Sequence, residues 1–123
     1  MNEKPAEVVA PEDIYKNHAG TVLVSGKSEV GKVARYITHL IEKNVVPIDI
    51  LFIGANAGQQ ACKACAVATI IAEKELQKKL AYITKRAKTK TEKQEVSGKV
   101  VIENGEHVLV VKDAFIWQLT YLP

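Results

Sequence analysis

The fold is decided by residues 21–53, which read TVLVSGKSEVGKVARYITHLIEKNVVPIDILFI. The β-branched and apolar run Thr21–Ser25 suits a short buried strand. From Val30 onward, apolar residues recur at the spacing of one helical face over about four turns. Asn44 and Pro47 stop this helix, and residues 48–53 then read as a second, mostly buried strand. Strand, helix and strand in this order predict a right-handed parallel crossover.

A second helix is predicted downstream of this unit. Gly54–Gly58 has the composition of a turn, and residues 60 to about 80 are strong helix formers. Small apolar residues fill the first half of this helix, so we expect it to be covered on nearly every side, by the sheet, the other helix or a second subunit. For the first helix, Ser28 is the predicted N-cap.

The last third of the chain predicts strands. After Leu80 the pattern alternates with a period of two, which indicates a strand that leaves the core. Asn104-Gly105 predicts a hairpin with a type I′ turn. Ala114–Leu122 predicts a final strand with an apolar face made of Phe115, Trp117, Leu119 and Tyr121. The whole order predicts a two-layer α/β sandwich, βαβα followed by additional strands, with both helices on one face of a mixed sheet.

Length and composition fit one domain. The chain has 123 residues, of which 47% are hydrophobic, enough for one core. We expect residues 1–18 to be a flexible acidic arm and residues 19–123 to be a single domain with a basic β arm at about 82–98. No secretory signal or membrane segment is recognisable, and two cysteines are too few for a disulfide framework. These features predict a cytoplasmic protein without a cofactor or metal.

Positive charge is concentrated in residues 78–93. Against Glu92 alone, this stretch carries seven cations, namely Lys78, Lys79, Lys85, Arg86, Lys88, Lys90 and Lys93. The net charge of the whole chain is only +3, so the remaining residues are acidic on balance. A local field of this sign attracts polyanions. The alternative is that the lysines only solubilise an edge strand.

Two segments carry a resemblance to a known family. Val22-Leu-Val-Ser-Gly-Lys-Ser28 precedes the first helix, and residues 53–68 read IGANAGQQACKACAVA. Together they closely resemble the stage V sporulation protein S family of the Alba-like superfamily, in which a Ser-x-Lys-Ser loop precedes a helix and Ile-Gly-Ala-x-Ala-x-x-Gln-Ala-x-Lys-Ala follows. The resemblance covers about residues 21–72 and weakens beyond Leu80.

The resemblance implies a DNA- or RNA-binding protein, regulatory or architectural and generally a homodimer. In that superfamily a lysine-bearing loop and an extended hairpin contact the nucleic acid. With the charge pattern, this predicts sequence-tolerant contacts to the phosphate backbone and no catalysis. The candidate binding residues are Lys27, Lys32, Lys63, Lys85, Arg86, Lys88, Lys90 and Lys93. Lys63 is equally consistent with the polar stripe of its helix.

Other hypotheses compete with nucleic-acid binding. In the first, the small-residue helix and the aromatic last strand build an oligomeric interaction module. Another is a redox site, because Cys62 and Cys65 have suitable spacing, although burial as small apolar residues is favoured. Gly20–Ser28 ends like a phosphate-binding P-loop, but its two glycines flank the strand instead of following it. The histidines are scattered and predict surface or locally bonded side chains.

Overall fold

Two helices pack on one face of a four-stranded mixed sheet in the computed structural model, which describes residues 14–95 and 97–123. This confirms the predicted two-layer α/β architecture. The helices are α1 (Val30–Glu42) and α2 (Ala55–Glu75). The strands are β1 (Thr21–Val24), β2 (Ile48–Phe52), β3 (Lys79–Glu92), β4 (Ile102–Glu103), β5 (Glu106–His107) and β6 (Leu109–Leu122).

The sheet has the order β1-β2-β6-β3. Strands β1 and β2 are parallel, as the crossover through α1 requires, and β6 is antiparallel to both of its neighbours. Phe52, the last residue of β2, lies opposite Phe115. The paired residues 87–92 of β3 and 109–114 of β6 therefore continue past the end of β2 as a two-stranded ribbon. We call this ribbon the arm.

The arm projects from the end of the sheet where β1 and β2 finish and both helices begin. This follows from the register, because the arm lies beyond the carboxyl end of β2. A second, smaller hairpin of β4 and β5 caps the arm. Its turn residues Asn104 and Gly105 both have positive φ, 52° and 78°, which agrees with the predicted type I′ turn.

Apolar side chains are buried on both faces of the sheet. The main core lies between the helices and the sheet, and its largest fully buried side chains are Ile37, Ile41, Ile48 and Ile50. A smaller cluster of Leu51, Ala114 and Ile116 lies on the opposite face, where Tyr15 and Ala87 pack against it. The face that the helices leave open is therefore partly covered by residues that precede β1.

The boundaries of both helices differ from the sequence predictions. Ser28 is not the N-cap of α1, since Glu29 occupies that position and no side chain caps the helix. Helix α2 begins at Ala55 and ends at Glu75, five residues earlier at each end than predicted. Gly54 serves as its N-cap with φ 86°, a conformation that favours glycine, so most of the predicted turn is already helical.

Within the single chain, helix α2 is buried along one face only, so the sheet and α1 cover fewer of its sides than the sequence predicts. Its buried residues are Ala57, Ala61, Ala64, Cys65, Ala68 and Ala72. Val67 and Ile70 are exposed, Ile70 by 54%. None of the helices within the described ranges is long and apolar enough to cross a membrane.

The final strand confirms the predicted grouping of its aromatic face. Trp117, Leu119 and Tyr121 all pack in the main core on the helix side. Phe115 begins this row and is 47% exposed, because it lies at the base of the arm. Its ring stacks with that of Phe52 at 6.0 Å between centroids.

Candidate nucleic-acid interface

The loop between β1 and α1 is held in shape by its two serines. The backbone N–H of Ser25 donates to Ser28 Oγ at 2.8 Å, and the backbone N–H of Ser28 donates to the carbonyl of Ser25 at 3.1 Å. The N–H of Lys27 donates to Ser25 Oγ at 3.2 Å. The loop is thus a closed turn that leaves the Lys27 side chain exposed.

The start of α2 packs against this loop. A Cβ at Gly26 would lie 2.9 Å from the Cβ of Asn56, so glycine allows the close approach. Gln60 Nε2 donates to the carbonyl of Ser28 at 2.8 Å. These contacts fix the position of Lys27 relative to the sheet. Lys32 lies in the first turn of α1 and pairs with Glu29 at 3.4 Å.

Cations line the arm and its base, but Asp113 compensates two of them. Arg86 Nη2 and Lys88 Nζ lie 3.0 and 2.8 Å from the two carboxylate oxygens of Asp113. These hydrogen bonds lower the pKa of Asp113. Lys85 and Lys90 are exposed, and Lys112 lies opposite Thr89 on the neighbouring strand. Lys112 is a cation that sequence reasoning did not include.

The tip of the arm differs in charge from its middle. Residues 92–107 contain Lys93 and Lys99 but also four acidic residues, namely Glu92, Glu95, Glu103 and Glu106. Glu92 pairs with His107 at 2.8 Å. Lys93 is bonded through its backbone to Val108 and Val101, within this acidic surrounding. The cationic part of the arm therefore lies near its base.

Residues 14–18, which we call the strap, contact the sheet. The Tyr15 N–H donates to the carbonyl of Lys88 at 2.8 Å, and Tyr15 Oη donates to Asp49 Oδ2 at 2.8 Å. His18 Nε2 lies 2.8 Å from the same oxygen. The N–H of Gly20 donates to His18 Nδ1 at 3.1 Å, which assigns the ring proton to Nε2. The remaining residues of the predicted N-terminal arm, 1–13, lie outside the described residues.

Asp49 is the centre of this network. Burial opposes its ionisation, but hydrogen bonds from His18, Gln118 and Tyr15 outweigh burial and lower the pKa of the carboxyl. Conversely, burial raises the pKa of Tyr15 to about 12. Both groups are therefore fixed in one protonation state near neutral pH, and together they attach the strap to the middle of the sheet.

The strap, the β1–α1 loop and the arm enclose one cavity of about 740 Å³. The loop contributes Ser25 and Gly26, the arm contributes residues 89–91, and the strap contributes residues 14–17. Lys16 and Lys90 both line this cavity. Sequence reasoning missed Lys16, because no local signal shows that the strap is attached to Asp49 through Tyr15 and His18.

The candidate cations fall into three groups. Lys27, Lys32 and Lys90 lie at the end of the sheet where the helices begin, and Lys93 lies further out on the arm. Lys85, Arg86 and Lys88 are at the base of the arm. Lys63 is exposed in the third turn of α2, and no hydrogen bond or ion pair within residues 14–95 and 97–123 connects it to the others.

The residues of the competing hypotheses lie elsewhere. Cys65 is buried, and this burial raises the pKa of its thiol to about 12. Cys62 is exposed, so the expectation that both cysteines are buried is wrong for Cys62. Gly20 and Gly26 lie at opposite ends of β1, so they do not form a joint phosphate loop. His18, His39 and His107 are all exposed, as the prediction of surface side chains requires, and His18 and His107 bond to acidic residues that are distant in the chain, Asp49 and Glu92. Within the described ranges, no cluster of three or more potential ligands could hold a metal ion.

Comparison with known proteins gives no match to a family model and no match to a curated protein. The resemblance to the stage V sporulation protein S family therefore stays a prediction.

Proposed function

We propose that this protein binds nucleic acid through the phosphate backbone, with little sequence preference, as a regulatory or architectural protein. The observation that supports the proposal is that the β1–α1 loop, which carries Lys27, and the cationic arm lie at the same end of the sheet and contribute Gly26 and residues 89–91 to one cavity. Cations from distant parts of the sequence thus lie at the same end of the sheet, with Lys85 and Lys90 on opposite faces of β3 because side chains alternate along a strand. A phosphate backbone is the extended polyanion that fits such a surface.

The charge balance of this region supports the proposal. Lys16, Lys27, Lys85 and Lys90 are exposed around the strap, the loop and the arm. Asp113 compensates only part of the charge of Arg86 and Lys88, and Asp49 adds one negative charge that is buried beneath its hydrogen-bond donors. A net positive field remains, and it attracts polyanions at low ionic strength.

The sequence resemblance supports the same function and adds two further proposals. The first is that the protein is a homodimer, for which the exposed Val67 and Ile70 of α2 offer an apolar contact surface. The second is that it acts in the cytosol, where free cysteines such as Cys62 remain reduced. We propose no catalytic role and no cofactor.

The test is a titration of a labelled duplex and a labelled single strand at several salt concentrations. The triple variant Lys27→Gln, Lys85→Gln, Lys90→Gln is expected to reduce the salt slope on duplex DNA by about 2 to 3, since each lost phosphate contact contributes about 0.9. The matched control is Lys43→Gln, Lys74→Gln, Lys79→Gln, which removes the same charge from the opposite end of the sheet.

The control variant is expected to change the slope by less than about 1. Equal losses in both triple variants would contradict a localised interface, because they would show a response to net charge alone. If the wild type binds neither the labelled duplex nor the labelled single strand in a salt-dependent way, the proposed function is wrong.

The second candidate function is an oligomeric interaction module. The exposed apolar residues of α2 and the exposed ring of Phe115 favour it. Under this alternative the lysines only solvate the arm. Light scattering would then show a stable oligomer, and Ile70→Asp would dissociate it while nucleic acid has no effect on any variant.

A further inference from the structure

The cavity between the strap, the loop and the arm has the size and walls of a small-molecule site. Its volume of about 740 Å³ falls within the range of roughly 300–1,000 Å³ that is usual for ligand pockets. Its walls include Leu23, Leu51, Phe52 and Ile53. Leu23 is 61% exposed, so a large apolar side chain remains in contact with solvent at this wall. An apolar surface of this kind favours an apolar occupant.

Two hydroxyl groups in the cavity wall have no hydrogen-bond partner among residues 14–95 and 97–123. Thr89 is only 9% exposed, and its Oγ1 finds no partner among the described residues. Thr91 Oγ1 is in the same situation. Both residues share the strand face of Ala87, which packs against Leu51 and Ile116, and both line the cavity. Buried polar groups are nearly always paired, and these two oxygens are themselves covered, so a ligand would supply the missing partner only after the threonine side chain turns its hydroxyl toward the cavity.

Cations surround the same cavity. Lys16 and Lys90 are exposed lining residues, and Lys27 follows the lining residue Gly26. The occupant therefore combines an apolar body, polar groups at its edge and a nearby negative charge. A nucleobase attached to its phosphodiester backbone has all three properties.

We propose that this cavity receives an unpaired base of a single-stranded nucleic acid, with the base edge at Thr89 and the flanking phosphates at Lys16, Lys27 and Lys90. This inference rests on the proposed function and makes it more specific, because it names single strands as the preferred class. A base within a duplex is stacked and paired, and entry into the cavity would require it to leave the helix.

The experiment compares three labelled ligands of about eight nucleotides in length, a size within the range of single-strand binding sites. They are an intact single strand, a fully abasic strand with the same number of phosphates, and the corresponding duplex. Wild-type protein is expected to bind the intact strand about tenfold more tightly than the abasic strand, because one or more bases enter the cavity.

Two variants of Thr89 separate the base contact from folding. Thr89→Val removes the hydroxyl but keeps the shape, and it is expected to weaken binding of the intact strand about three- to tenfold without lowering the melting temperature. Thr89→Ser keeps the hydroxyl and is expected to bind like the wild type. Neither variant should change affinity for the abasic strand.

Each outcome is decisive. Equal affinity of the wild type for intact and abasic strands, or an intact-strand affinity that Thr89→Val leaves unchanged, would overturn the base pocket and leave phosphate binding in place. A Thr89→Val variant that binds both strands more weakly by the same factor would also overturn it. If none of the three ligands binds, the proposed function itself fails.

Discussion

Replacing Asp49 with alanine is expected to release the strap and to lower the free energy of unfolding by about 3 kcal/mol. The Asp49 side chain is 7% exposed and lies on an inner strand of the sheet. Its carboxylate accepts hydrogen bonds from Tyr15 Oη at 2.8 Å, His18 Nε2 at 2.8 Å and Gln118 Nε2 at 2.9 Å. No other side chain in the described part of the chain joins the strap and the sheet through as many donors.

The magnitude follows from these three contacts. A hydrogen bond to a charged group contributes about 1.5–3 kcal/mol, so the gross loss is roughly 4.5–9 kcal/mol. Tyr15, His18 and Gln118 are each partly exposed, and their freed donors will bind water, which recovers a large part of this loss. About 3 kcal/mol remains, close to the usual cost of breaking a buried pair. Asp49→Asn keeps the shape and should cost about 1–2 kcal/mol.

Urea unfolding followed by circular dichroism measures the change, and Asp113→Ala is the matched control. Asp113 also accepts hydrogen bonds from two side chains but is exposed, so its replacement should leave the free energy of unfolding unchanged within error. Native-state trypsin cleavage after Lys16 should accelerate in Asp49→Ala only. An Asp49→Ala variant that unfolds at the same urea concentration as Asp113→Ala would refute the reasoning.

Three further predictions concern other parts of the structure. The pKa of Asp49 is lower in the folded protein than in the unfolded chain, where it is near 4. The stabilisation by Asp49 is therefore complete above the unfolded pKa and is lost as the pH falls through the folded pKa. Urea midpoints should drop in acid, and less so in Asp49→Asn. Gly20→Ala should cost about 3 kcal/mol in urea unfolding, since its Cβ would lie 1.8 Å from the carbonyl oxygen of Pro47, and a midpoint like that of the wild type would contradict this contact. Mass spectrometry after brief alkylation should find Cys62 modified in the native protein. Cys65, whose thiol pKa is raised to about 12, should be modified only after unfolding. Rapid labelling of Cys65 in the native protein would show that it is not buried.

Local sequence patterns were sufficient to predict most elements of the fold. The apolar spacing from Val30 predicts α1, and the Asn104-Gly105 pair predicts the small hairpin, because both signals depend on neighbouring residues alone. The start of α2 was missed for a tertiary reason. Gly58 looks like a turn residue but lies within the helix, where glycine leaves room for the ring of Phe52, which would be 3.0 Å from a Cβ at this position.

The candidate site was only partly predictable. The lysine-rich stretch and Lys27 were recognisable from charge and from the loop motif. That Asp113 lies beside Arg86 and Lys88 depends on the register of β3 and β6, which no local signal specifies. Lys16 lies at the candidate interface only because Tyr15 reaches Asp49, a contact between residues 34 positions apart in the chain.

Lysine footprinting tests the central claim most directly. The protein is briefly acetylated with and without bound nucleic acid, and the modification of each lysine is measured by mass spectrometry. We predict that Lys27, Lys85 and Lys90 are protected together, while Lys43, Lys74 and Lys79 at the opposite end of the sheet react as in the free protein. Protection of the loop without the arm, or equal protection at both ends, would contradict a shared phosphate-binding surface.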